Sequence, residues 1–318
     1  MPGSVLLLGE LLVDMLGEGG GSLEEATLFR PLPGGAPGNA AVAAARAGVP
    51  TSFVGTVGRD GFGRLLRATL TRAGVDCARV REHPRLATTL AFVMPKARGD
   101  LGFQFNRGAD AALAPADLGP EVLDGVAALG CGGVSLSAQP SRDATLAALG
   151  MSRGRVPWTV FDVNWRPALW EGAEVALPVI RQAIAATRVV KCNESELALV
   201  MGERGSEAER ARALLELGPE VAVVTLGERG ALWVSREVEV QSPGHTVDSV
   251  DAIGAGDCFT GNLLARLARH GAEAAPPAEA AREILAWCNA AAALSTTRAG
   301  AMGAMPSADE VARFLARV

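Results

Sequence analysis

Short apolar runs and helical stretches alternate along most of this chain, and that alternation constrains its fold more than any other feature. Runs at 5–8, 52–57, 133–137, 159–162, 189–192 and 221–226 have the length and continuous apolar character of strands buried on both faces. Between them, 40–47, 63–73, 206–217 and 278–294 are rich in Ala and Leu, free of internal Pro and charged on one side, the pattern of helices that cover a sheet. Such alternation predicts an α/β fold with a mostly parallel sheet, helices on both faces, and ligands gathered at the carboxyl ends of the strands. Two segments break the rhythm: 10–33 holds a Gly-rich turn from Gly17 to Gly21, and 88–110 alternates through Leu90, Phe92, Met94, Phe103 and Phe105. Both read as antiparallel hairpins with one solvated face. Hairpins inserted into such a domain form a lid over the site or a sheet extension for dimerisation, and the lid is the favoured reading.

Composition narrows the function classes. With 318 residues, 49% of them apolar and 20% charged, the chain has material for two average domains or one large α/β domain with an insertion. A net charge of −5 without a dense basic run argues against a nucleic-acid-coating protein. The two lysines, Lys96 and Lys191, lie outside any Gly-Lys-Ser/Thr triplet, which excludes a P-loop, and the absence of G-x-G-x-x-G removes a Rossmann dehydrogenase. His83, His245 and His270 are far apart, so a histidine dyad or metal site is not expected. Five cysteines (77, 131, 192, 258 and 288) without C-x-x-C spacing point to a reducing cytoplasm. The start of the chain reads as a buried strand that meets Glu10 at once, not as a signal peptide, and no membrane span is expected.

Two segments carry chemistry. Gly34-Gly-Ala-Pro-Gly-Asn39 precedes a helix of small residues; its glycines permit close backbone approach, and Asn39 can cap or hydrogen-bond, though a turn of this kind also serves as plain punctuation. The second, Val250-Asp-Ala-Ile-Gly-Ala-Gly-Asp-Cys-Phe259, runs into a helix over 260–270. Gly254, Ala255 and Gly256 leave amides at a helix N-terminus to hold phosphate oxygens, and Asp257 stands beside them. A plain N-terminal acid needs no pair of glycines ahead of it. An anion cradle with an adjacent base does, as transfer of a phosphoryl group to an alcohol requires. Cys258, behind that base, reads as a small core residue.

Segments 34–48 and 251–261 together resemble the two signatures of the ribokinase-like (PfkB) carbohydrate kinases, over nearly the whole chain and in the right order. Segments 55–63, 91–93 and 102–110 resemble the fructokinase branch. The resemblance implies a three-layer α/β/α core (1–9, 34–86 and 111–318) with a β-sheet lid (10–33 and 87–110), and phosphorylation of a sugar hydroxyl by ATP with Mg2+. It implies that Asp257 is the general base and Gly254, Ala255 and Gly256 the anion hole, with Arg166 adding positive charge. Asp14, Gly34, Gly35, Asn39, Arg107, Asn164 and Asp257 match sugar-binding positions. Asn193, Thr225, Gly227, Gly230, Gly254, Gly256 and Asn289 match nucleotide-side positions, and Glu196 in Asn193-Glu-Ser-Glu196 helps place Mg2+ indirectly; an isolated motif of that kind is more often a helix cap. Asp251 borders a site for a monovalent cation, but Ala252 stands where the family usually has Thr, which puts dependence on K+ in question.

The resemblance thus implies a cytoplasmic sugar kinase whose partners are a sugar, most consistent with fructose, and ATP, with neither nucleic acid nor membrane. A homodimer through the lid is compatible with it. A 2-keto-3-deoxygluconate kinase is the alternative within the fold, its acid substrate suited to Arg107 and Arg166, and a non-catalytic sugar-binding relative is the alternative outside catalysis.

Overall fold

The computed structural model describes residues 3–19, 22–95, 101–271 and 274–317. Alternate residues of the first strand, β1 (Ser4–Leu8), face opposite ways: Val5 and Leu7 enter one apolar cluster, Leu6 and Leu8 another. Because side chains alternate along a strand, a run buried on both faces must be apolar at every position, as 5–8 is. The sheet continues from β1 through β4 (Thr51–Gly58) to β5 (Val75–Asp76) on one side. On the other it runs through β9 (Val126–Gly132), β10 (Trp158–Asp162), β11 (Val189–Asn193) and β12 (Val221–Thr225), all parallel. β6 (Val80–His83) pairs with β4, and β13 (Ala231–Ser235) and β14 (Glu239–Ser242) extend the sheet antiparallel.

Helices cover both faces, completing the three-layer α/β/α arrangement. On one pack α1 (Ala36–Arg46), α2 (Gly61–Arg72), α7 (Ala255–His270), α8 (Ala278–Thr296) and α9 (Ala308–Leu315). On the other lie α3 (Ser141–Ser152), α4 (Ala173–Ala186), α5 (Glu194–Met201) and α6 (Glu207–Leu214). The strand expected at 133–137 is displaced: the strand is β9, and Ser135–Ser137 forms a 3-10 turn. Small residues hide its apolar signal, and they are required there, since a Cβ on Gly130 would stand 2.6 Å from Leu264 and 2.7 Å from Leu7. Cys131, Cys192, Cys258 and Cys288 are buried free thiols, and no described helix is long and apolar enough to cross a membrane.

The two expected hairpins form a separate four-stranded sheet. β2 (Leu12–Glu18) pairs antiparallel with β3 (Leu28–Gly34), and β7 (Leu90–Pro95) with β8 (Leu101–Asn106). A parallel pairing of β2 with β7 joins them. Gly20 and Gly21 of the expected turn, and 96–100 of the second hairpin, lie outside the described residues.

Helices α1 and α7 approach each other through small residues. A Cβ on Gly261 would lie 2.3 Å from the Ala40 carbonyl oxygen and 2.7 Å from the Ala43 Cβ. Gly261→Ala must therefore push the helices apart. The expected loss is about 1–3 kcal/mol, the usual range for overpacking, seen as a lower urea midpoint. A midpoint equal to the unsubstituted protein's would overturn this account of the contact.

Candidate active site

The carboxyl ends of the parallel strands carry the polar residues. Past β1 come Glu10 and then Asp14 on β2; past β10 come Asn164 and Arg166; β11 ends on Asn193 and β12 on Thr225. Two cavities open among them, of about 290 Å³ and about 640 Å³, and they share Lys191, Asn193, Ala252 and Gly256.

Asp257 lies on the wall of the smaller cavity, in the first turn of α7. Gly254 caps that helix in the left-handed region, with φ 80°, and a Cβ there would press to 2.7 Å from Ala301. The Ala255 N–H turns back to the Ala252 carbonyl at 3.2 Å. The Asn39 side-chain amide donates to Asp257 Oδ2 at 2.7 Å, and its own Oδ1 is buried without a partner among the described residues. Gly34 and Gly35 act by clearance: a Cβ on Gly34 would stand 2.0 Å from Asp14 Oδ2, and one on Gly35 2.6 Å from the Glu10 carbonyl. Asn164, 6% exposed, adopts φ 38°, which few residues other than glycine accept, and its Oδ1 also lacks a partner among the described residues. Two unpaired buried amide oxygens and a strained backbone around one cavity indicate a ligand that supplies the missing hydrogen bonds.

The larger cavity is lined by Thr225, Gly227, Gly230 and Asn289, together with Ala255 and Gly256 of the turn. Asn289 donates to the Ser242 and Pro243 carbonyls at 3.1 and 3.0 Å. Asn193 and Glu196 form the reciprocal helix cap: the Glu196 N–H donates to Asn193 Oδ1 at 2.9 Å, and the Asn193 N–H to Glu196 Oε2 at 2.8 Å. Glu196 Oε1 accepts from the Trp165 N–H at 2.7 Å, which ties the loop after β10 to α5. Asp251 accepts from the Ile253 and Gly300 amides at 2.9 and 2.8 Å and so holds the turn ahead of α7.

The sequence matches the pfkB family carbohydrate kinases over residues 3–308. The chain belongs to that family. It is 35% identical to fructokinase-1 of Oryza sativa subsp. japonica, over 98% of this chain and 97% of that protein. Among solved structures, fructokinase from Xylella fastidiosa with bound ATP is 28% identical with a TM-score of 0.90, covering 100% of this chain and 99% of that one. Fructokinase from Vibrio cholerae O395, in a form bound to fructose, ADP and calcium ion, is 31% identical with a TM-score of 0.86 over 99% of each chain.

This pfkB-family protein is an ATP-dependent sugar kinase, and its charges fit a site awaiting polar ligands. Burial pushes the Asp14 carboxyl up to about 7; the Asp257 charge adds to the rise and Arg166 opposes it. Burial also raises Asp257, while the Asn39 hydrogen bond pulls it back. Of the residues matched by sequence, Gly34, Asp251 and Arg107 line neither cavity. The Arg107 guanidinium is 2.8 Å from Asp110 and donates to Ser137 Oγ at 2.7 Å and to the carbonyl of Val134, which lines the smaller cavity. Among the lining residues that escaped the sequence reading are Glu10 and Lys191. Glu10 accepts from the Ala36 N–H at 3.1 Å and the Ser135 hydroxyl at 3.2 Å, and Lys191 pairs with Asp162. Each is a charged residue in or against an otherwise apolar strand, and that was the available signal.

These charges set two expected outcomes. Asn39→Leu removes a hydrogen bond to the ionised form of Asp257, so the titration of Asp257, followed by carboxyl 13C NMR, should move to higher pH; a titration that stays or moves down contradicts the pairing. Asp14 holds its proton more tightly folded than unfolded, so its contribution to stability falls as pH rises from the ordinary carboxylate range to about 7. Asp14→Asn should therefore raise Tm above that window and leave it nearly unchanged below, by calorimetry across pH. A Tm gain confined to acid would contradict this assignment.

Proposed function

We propose that this chain is a fructokinase, with Asp257 as the general base that takes the proton of the sugar's primary hydroxyl. The observation that carries the reading is the position of Asp257. It stands half-buried at a helix N-terminus on the wall of a monosaccharide-sized cavity, beside the Gly256 seam with the larger cavity. The sugar hydroxyl oxygen bonds to the γ-phosphorus as the bond to the β,γ-bridging oxygen breaks, and ADP leaves with that electron pair. The Gly254 and Gly256 amides of the turn, whose Ala255 amide is committed to the Ala252 carbonyl, and Arg166 hold the charge of the phosphoryl oxygens. Asp14, Asn39 and Asn164 face the sugar, and Arg107, tied to Asp110, stiffens the loop after β8.

The half-buried carboxylates of Asp14 and Asp257 favour a neutral polyol over a keto-acid, whose charge they would repel. Similarity to plant and bacterial fructokinases supports the same choice. Asn193, Thr225, Gly227, Gly230 and Asn289 would take the nucleotide in the larger cavity. The donor set suits a divalent ion that arrives with ATP: both Glu196 oxygens are already held by backbone amides, so Mg2+ would be reached through water, as its reluctance to dehydrate favours. When bound, Mg2+ neutralises charge on the phosphate oxygens. The small sheet supplies Leu12, Asp14 and Phe105 to the sugar cavity and serves as its lid, excluding water from the reaction.

Asp257→Asn is expected to lower kcat by about 10²–10⁴-fold, the usual worth of a general base, with sugar affinity nearly retained by calorimetry. An unchanged kcat in the folded variant removes Asp257 from this role. ADP release measured with ATP and Mg2+ over fructose, ribose and 2-keto-3-deoxygluconate is expected to favour fructose. Turnover of the keto-acid alone would replace fructose as the substrate and leave the base assignment standing.

A further inference from the structure

Lys191 is one of two lysines in the chain, and its side chain is only 6% exposed. It faces Asp162 across the parallel pairing of β11 with β10, with Nζ 3.2 and 3.1 Å from the two carboxylate oxygens. Asp162 is engaged from the other side by the Thr260 hydroxyl at 2.7 Å, from the helix that carries Asp257. A buried ion pair between strands is weak support for stability, because apolar residues of similar size usually do as well. Its location is the informative fact. Lys191 lines both cavities, and its Nζ lies 3.3 Å from where a Cβ on Gly256 would stand. The ammonium therefore sits against the turn and between the nucleotide and sugar spaces, where a phosphoryl group in transfer must pass.

We infer that Lys191 is a catalytic residue of this kinase, turning from Asp162 to the γ-phosphoryl oxygens as the group crosses between the cavities. The ammonium keeps its protons throughout. The new bond joins the sugar oxygen to phosphorus, the bond to the bridging oxygen breaks, and the hydroxyl proton goes to Asp257. Burial works against the charge of Lys191, but Asp162 and Glu196 outweigh it and keep the group above the ordinary lysine range. Charge balance supports the assignment. Asp162, Glu196 and Asp257 place three carboxylates around this point, and a triphosphate brings more negative charge to it. Gly256 is then required for a second reason, since a side chain there would crowd the ammonium off the phosphoryl path.

A structural ion pair and a phosphoryl contact respond differently to removal of both charges. Lys191→Met alone should lower kcat by about 10²–10³-fold, the usual loss for one preorganised donor to a transition-state oxygen, with KM for the sugar little changed. The double variant Lys191→Met with Asp162→Asn removes both charges of the pair and leaves Glu196 held by its two backbone amides, so it should fold and yet stay as slow as Lys191→Met. Recovery of kcat in the double variant would make the pair structural and overturn the inference. A measurement on the unsubstituted chain does not depend on folding of variants. With lysine side chains labelled at Cε and Nζ, only two sets of NMR signals arise, and Lys96→Arg assigns them. The Lys191 signal should move when aluminium fluoride joins ADP, Mg2+ and fructose, as a mimic of the group in transfer. A Lys191 signal indifferent to aluminium fluoride, in a sample where the fluoride blocks turnover, would refute the contact whatever the variants do.

Discussion

The site depends on the close approach of α1 and α7. Gly261 and the alanines facing it let two helix backbones come nearly into contact, closer than any side chain at that position would permit. Through that contact Asn39, at the start of one helix, reaches Asp257, at the start of the other, across 218 positions of sequence. The hydrogen bond between them orients the carboxylate and tempers the rise in its proton affinity caused by burial. The helices also bring their N-terminal ends to one rim of the sheet, where the dipoles of both favour negative charge. The rest of the site is arranged around that point.

The same arrangement carries a cost. Glu10 is buried and Asp14 and Asp257 are half-buried, and partial loss of water is the chief cause that raises each carboxyl above its ordinary range. Asn39 and Asn164 each keep a buried amide oxygen unpaired among the described residues. Asn164 adds a backbone conformation that asparagine tolerates better than most residues. Such features lower the stability of the empty protein, and they make sense in a site that is completed by a ligand rich in hydroxyls.

Much of this was legible in the sequence because it is local. Continuous apolar runs mark strands buried on both faces, and five of the six expected runs coincide with β1, β4, β10, β11 and β12. The sixth failed because five of the seven residues of β9 are Ala, Gly or Cys, Gly130 among them fitting against Leu7 and Leu264, and such a composition does not advertise a strand. The Gly254–Asp257 turn was readable because its amides and its carboxylate are neighbours in the chain. The pairing of Arg107 with Asp110 was not, since a partner is decided by which buried acid lies nearest in space. Lys191 was passed over for a related reason: a lysine in an apolar strand is only an anomaly until its cavity is seen.

By itself, then, the sequence determined the layered α/β class, the two inserted hairpins and the glycine turn that sets an acid in the first turn of a helix, because propensity, periodicity and backbone geometry act over a few residues. Tertiary structure alone decided which groups share a cavity. It placed Asn39 on Asp257, set Lys191 against Asp162 at the seam of two cavities, committed Glu196 to backbone amides and paired Arg107 with Asp110. These pairings are governed by desolvation. A charge removed from water must find a partner within hydrogen-bond reach, and which partner is within reach is set by the packing of distant segments, not by their spacing along the chain.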